Sequence, residues 1–313
     1  MTASLPSRIA RRVRRLVGGS ASSAVTRADL PPGRRSRKAW LYEHQVPPER
    51  TVAALEGRHP GSRVLIVGTG PSAKTILPYD DRLHEKWDVV MGLNGSVEHL
   101  RNLDYFVSVE SKAHLWDWYR FTTDPRIVRC VSESGARLAE ESGVPDPQPA
   151  YYLIRHVYQT PVDIRHYRNA AGEEGLLVGP PGETGLGPGT VTLQAIHFAG
   201  LLGASTIHVI GADMHFKAGT QHFYGENEYG TETVDGKRYH RLDVEHRLNP
   251  IVEVIHPETG QTVETTLHFQ ESAAFLDTVI RDVLPPAGIE LTDFSHGLIS
   301  TARRANIDEY MAS

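Results

Sequence analysis

Two small-residue helix starts, two carboxylates and a set of histidines are the residues of this 313-residue chain whose types and spacing can do chemistry. The apolar run "RVLIVG" (63–68) leads into "TGPS", so Gly68, Thr69, Gly70, Pro71 and Ser72 form a loop ahead of a helical start. Such a loop lets backbone amides and hydroxyls approach a phosphate, which the positive end of the following helix also attracts. Gly189 and Thr190 open a second helical pattern, where a phosphate would gain roughly 0.3–1 kcal/mol from the dipole. A plain N-cap role for Thr190 is compatible with that. Glu110 and Asp213 end the strand-like runs "FVSVE" and "HVIGAD". Carboxylates at neighbouring strand ends can share a Mg²⁺ that bridges phosphates; Asp213 can equally hold a loop by accepting backbone amides. An imidazole with an ordinary pKa near ~6.5 can take a proton from a hydroxyl. With 16 histidines, residue type alone selects none of them.

The glycine loop can be tested against the dinucleotide fingerprint. Gly68, Gly70 and Ala73 match its spacing. The fingerprint also requires an acid at the end of the second strand, about 20 positions on, for a ribose hydroxyl. The run "DVVMGLN" ends instead in Asn94, whose amide suits a base or ribose, and Pro71 removes one amide donor. A nucleotide other than NAD or FAD fits better, with a purely structural turn as the alternative.

These groups need a scaffold, and the pattern supplies one. The runs at 63–68, 88–94, 104–110, 126–132, 206–213 and 289–295 are nearly continuous in apolar residues, as in strands covered on both faces. Between them Val191, Ala195, Phe198, Ala199 and Leu202 recur at helical spacing and Gly203 stops the helix; Phe275, Val279 and Val283 repeat the pattern before "LPPAG". The expectation is an α/β protein: a doubly wound, mostly parallel, Rossmann-like sheet over residues 46–313. Insertions at about 136–188 and 214–266 interrupt it, the latter with hairpin turns at "VDGK" and "HPETGQ". Long insertions near strand ends suit lids or binding loops.

Composition narrows the classes. The chain is 40% hydrophobic and 23% charged, as in ordinary globular proteins, and no apolar run reaches the roughly 18–20 residues that span a bilayer. The single cysteine, Cys130, excludes an internal disulfide, suits a reducing compartment and reads as buried filler. Residues 1–40 carry a net charge of +9 and residues 41–313 a net charge of -14. Residues 1–45 read as a basic, disordered tail. Alternatively, "RIARRVRRLV" lies on an anionic membrane surface, or the segment is a cleavable targeting peptide. Because the basic charge stops there, nucleic acid is not an expected partner.

The ordered set "GTGPSAKTI", "GLNGSVEHL", "LDYFVSVES" and "GPGTVTLQAIHFAGLLGASTIHVIGADMHF" resembles two related groups. One is the MptE-like family, named for 6-hydroxymethylpterin pyrophosphokinases; the other is the bacterial family-42 sialyltransferases. The resemblance covers roughly residues 62–112 and 186–310. For the sialyltransferase-like reading it implies transfer of a sugar, from a CMP-linked acidic donor, to a hydroxyl acceptor, with no cofactor required. His222 and Tyr224 would then meet the departing phosphate and His268 would deprotonate the acceptor. Gly68 to Ser72, Asn94, Gly189, Thr190, Asp213 and Ser295 would hold the nucleotide, with His296 and Gly297 beside it. The MptE-like reading implies instead a Mg²⁺-dependent transfer of diphosphate from ATP, with Glu110 and Asp213 on the metal. A non-catalytic nucleotide-binding scaffold is the third reading. A cytoplasmic location, with peripheral contact at the inner membrane face through the basic tail, completes the expectation, as does a role in polysaccharide biosynthesis.

Overall fold

The computed structural model describes residues 50, 52–109, 118, 120–122, 124–131, 151–152, 190–217, 231–240 and 249–313. Eight strands form one sheet: β1 (Arg63–Val67), β2 (Val89–Leu93), β3 (Tyr105–Ser108), β4 (Val128–Val131), β5 (Tyr151–Tyr152), β6 (Thr206–Ile210), β11 (Glu290–Asp293) and β12 (Arg303–Arg304). Their order is β12-β11-β6-β1-β2-β3-β4-β5, and every neighbouring pair is parallel. The chain runs outward from β1 to β5, then returns to the other flank of β1 with β6. That reversal between β1 and β6 is the topological switch point of a doubly wound sheet, the expected architecture.

All six predicted strands form, each slightly shorter than its apolar run. The run through 206–213 stops as strand at Ile210 because Gly211 turns into the left-handed region at φ 77°. The two-residue edge strands β5 and β12 were not predicted; two residues are too few for a period to register.

Alternation along the strands divides the core into two layers. Val64, Ile66, Val89, Met91, Leu93, Ile207 and Val209 face one side, where α2 (Val191–Leu202) and α3 (Leu267–Thr278) cover them. Leu65, Val67, Val90, Phe106 and Ile210 face the other, under the 3₁₀ segment Pro71–Arg82, the short α1 (Leu83–Lys86) and the C-terminal α4 (Ile307–Ala312). Cys130 is buried, and burial raises its thiol pKa, so it packs as predicted.

The direction of α2 follows from its ends. Gly203, at φ 96°, closes the helix, and its carbonyl accepts from Gly61 N at 2.7 Å, just ahead of β1. The C-terminal end of α2 therefore sits at the amino edge of the sheet. Twelve residues at about 1.5 Å rise place the other end, Thr190, roughly 18 Å away at the carboxyl edge. The two predicted hairpins also form: β7 (Thr231–Val234) with β8 (Lys237–His240), and β9 (Ile251–Ile255) with β10 (Thr262–Thr266). Asp235 and Gly236 turn the first, both at positive φ (51° and 73°), as a two-residue primed turn requires. Among the described residues no helix is long and apolar enough to cross a membrane. The basic tail lies outside the described residues.

Candidate functional site

The carboxyl edge brings together the loop after β1, the loop after β6 and the starts of several helices. Gly68 N donates to Ile210 O at 2.7 Å and Gly70 N to Gly211 O at 2.9 Å. Ser72 N meets both Asp213 carboxylate oxygens at 3.2 Å, and Ser72 Oγ donates to Oδ2 at 2.7 Å. Gly211 N completes the seam by donating to Ser72 Oγ at 3.0 Å. The backbones touch: a Cβ on Gly68 would lie 2.4 Å from Gly211 O. The loops after β1 and β6 are thus in contact at the switch point where doubly wound sheets usually admit a ligand.

These contacts engage several of the donors expected to meet a phosphate. The amides of Gly68, Gly70 and Ser72 and the Ser72 hydroxyl are committed to the loop after β6, while Pro71, at the first helical position, has no N–H to give. Thr69 and Pro71 are the partly exposed members of the loop. Asp213 is 1% exposed and holds the loop through Ser72, one of the two roles the sequence leaves open for it. Burial pushes its carboxyl pKa up to about 6, with the Ser72 hydrogen bonds pulling the other way and Asp293 adding to the rise. Its intended partner on a metal, Glu110, lies outside the described residues. Among the described residues no three His, Cys, Asp or Glu side chains come together in a way that could hold a metal ion.

Ser295 joins the same network. It is 2% exposed, its Oγ accepts from Ala212 N at 2.9 Å, and its N–H donates to Asp293 Oδ1 at 2.8 Å. It braces the β6 loop from the β11 side. Gly297 lies against the Asp213 backbone, and Leu298 N donates to Asp213 O at 3.0 Å. His296, at φ 52°, is held by Glu258 at 3.1 Å through Nδ1 and donates from Nε2 to Ala305 O at 3.0 Å. Two residues past Asp213, His215 stacks edge-on against His256, and burial lowers the pKa of both.

The other flank of β1 is less committed. Asn94, at the end of β2 with φ 47°, accepts from Ser108 Oγ at 2.9 Å through Oδ1. Its side-chain nitrogen has no partner among the described residues and the side chain is half-buried, so a donor remains at the carboxyl edge. Thr190 begins α2 with φ -94° and ψ 153°, yet its side chain makes no cap hydrogen bond. Its Oγ1 is buried and without a partner among the described residues, on a residue 8% exposed. A buried hydroxyl left so is costly, on the order of 1–3 kcal/mol, unless something else uses it.

His268 occupies the first turn of α3, half-buried. The start of α3 is tied to the carboxyl edge because Thr265 Oγ1, one residue before the Thr266 cap, donates to Met214 O at 2.6 Å just beyond β6. Thr190 and His268 thus begin two helices at the same edge and over the same face of the sheet. Gly189, His222 and Tyr224 lie outside the described residues.

Sequence reasoning missed the Ser72–Asp213 pair and the Ser108 partner of Asn94. The only sequence signal for either was a small hydroxyl residue at one strand end and an acid or amide at another.

The fold and this edge define a doubly wound, Rossmann-like α/β protein. No protein-family model, curated protein or solved structure matches the chain.

Proposed function

We propose that this chain is a sialyltransferase-like glycosyltransferase that uses a nucleotide-linked sugar, most simply a CMP-linked acidic sugar, and a hydroxyl acceptor. The observation that carries the reading is the buried hydroxyl of Thr190, without a partner among the described residues, at the start of the 12-residue α2. A helix N-terminus with an unused donor suits one phosphoryl group. The Asn94 amide, at the next strand end but one from β6, suits the base or ribose. His268, over the same face, takes the acceptor proton, while Tyr224 and His222 meet the leaving phosphate.

Closure of the glycine loop by Asp213 also bears on the alternatives. A pyrophosphokinase must grip several phosphates through Mg²⁺, and Asp213 is already occupied by Ser72. The transferase reading requires no metal. The sites carrying the basic tail and its peripheral membrane role remain part of this proposal, as does a place in polysaccharide synthesis.

Calorimetry with CMP, CDP and ATP, each with and without Mg²⁺, tests the reading. Metal-independent binding of CMP, weakened in Thr190→Val, is the expected result; Mg²⁺-dependent ATP binding without a cytidine response would overturn it in favour of the kinase. Given a donor, His268→Asn should cut turnover by about 10²–10⁴-fold with nucleotide affinity unchanged.

A further inference from the structure

The start of the Pro71–Arg82 helix already holds an anion, and that anion belongs to the protein. Both Asp213 oxygens lie 3.2 Å from the Ser72 nitrogen, and Oδ2 lies 2.7 Å from Ser72 Oγ. The direction of each bond is set. Ser72 Oγ accepts from Gly211 N at 3.0 Å, which leaves the hydroxyl proton for Asp213. Gly70 keeps the remaining side open, since a Cβ there would lie 2.3 Å from Oδ2. An amide donor, an oriented hydroxyl and a missing side chain at a helix start are the parts of an oxyanion site.

We propose that Asp213 is a specificity-determining residue: its carboxylate is a built-in ligand that fills the oxyanion site of the glycine loop and closes that loop to the phosphate of any ligand bound at this edge. The inference stands on the contact geometry and survives if the transferase reading fails. It explains why a phosphate-type loop, a glycine pair and a serine lie in direct contact with the loop after β6. It also diverts a ligand's phosphate towards the other flank of β1.

The chemistry of the site suggests its own test. Asp213→Ala deletes only the carboxylate, and formate carries the same two oxygens on one carbon. Without an anion the buried Ser72 donors lose their acceptor, and Tm should fall by roughly 5 °C. Sodium formate should restore most of that loss saturably, compared with sodium chloride at equal ionic strength. Wild type should not respond, nor should Asp213→Asn, which keeps an acceptor oxygen. An equal formate response in all three proteins, or none in Asp213→Ala, overturns the proposal. Should Asp213→Ala fail to fold, hydrogen exchange decides. The Ser72 amide, at a position where helix amides have no helical acceptor, should exchange slowly in wild type; solvent-like exchange there would sink the idea.

Discussion

Two helices over one face of the sheet begin with threonine in nearly the same backbone conformation, φ -94° and ψ 153° at Thr190, φ -91° and ψ 153° at Thr266. Thr266 caps its helix, with Oγ1 accepting from Phe269 N at 3.2 Å. Thr190 does not, and its hydroxyl is buried without a partner among the described residues. Backbone geometry cannot explain the difference, because it is shared. A third start, at Ser72, is filled from across the sheet by Asp213, and a fourth is capped by Asn306, whose Oδ1 accepts from Asp308 N and Glu309 N. Of these four starts, only the one at Thr190 has neither a cap nor an incoming side chain among the described residues; the short α1 also lacks a side-chain cap.

The comparison can be broken most severely at the sealed start. Gly68→Val places a side chain where even a Cβ lies 2.4 Å from the Gly211 carbonyl oxygen. Both partners are backbone, so neither can move aside, and a loss of roughly 3 kcal/mol or more is expected by chemical denaturation.

Acid titration gives the next largest effect. The folded pKa of Asp213, up at about 6 because of burial, stabilises the fold fully below the ordinary carboxyl value of 3.8, and that contribution is lost as pH rises through 6. His208 works the other way. Burial, with Arg63 and Arg303, lowers it from 6.5 to about 4, so its contribution is full above 6.5 and is lost as pH falls towards 4. The two oppose each other across the same window in wild type. Asp213→Asn should unmask the histidine, and stability should then fall by on the order of 3 kcal/mol between pH 6.5 and 4. A variant whose stability is as flat with pH as wild type would contradict this.

The smallest effects sharpen the contrast of the two threonines. Thr266→Val should cost about 1 kcal/mol, the usual worth of a cap. Thr190→Val, in the protein without ligand, should be neutral or stabilising by up to ~1 kcal/mol, since it removes an unpaired buried hydroxyl. Paired thermal melts of the two variants read this directly, and equal losses would place Thr190 among ordinary caps.

The strands were legible because their apolar runs are long and uninterrupted, as at 63–67 and 206–210. The α2 helix was legible from Val191 to its Gly203 stop for a similar reason: period and punctuation agree. What the sequence could not show was competition for donors. "GTGPS" reads as a phosphate loop because its amides look unspent, and only the fold brings Ile210, Gly211 and Asp213 to accept from them. Ser295 misleads in the same way, since its partners Ala212 and Asp293 come from two different strand ends. The C-terminal α4 gives no such signal, yet Tyr310 stacks on Trp87 at 5.4 Å and Ile307 and Met311 are buried. Six residues are too short a stretch for periodicity to announce a helix.

The seam between the loops has a temporal side. Ser72 and Asp213 are 141 positions apart. At translation rates of about 5–20 residues per second, the glycine loop emerges roughly 7–30 s before the residue that closes it. Throughout that interval β1 has only its β2 flank to pair with, and its other edge stays unpaired. The central strand of the finished sheet is therefore an edge strand while the chain is being made, and it is the arrival of residues 206–213 that ends its exposure to other chains.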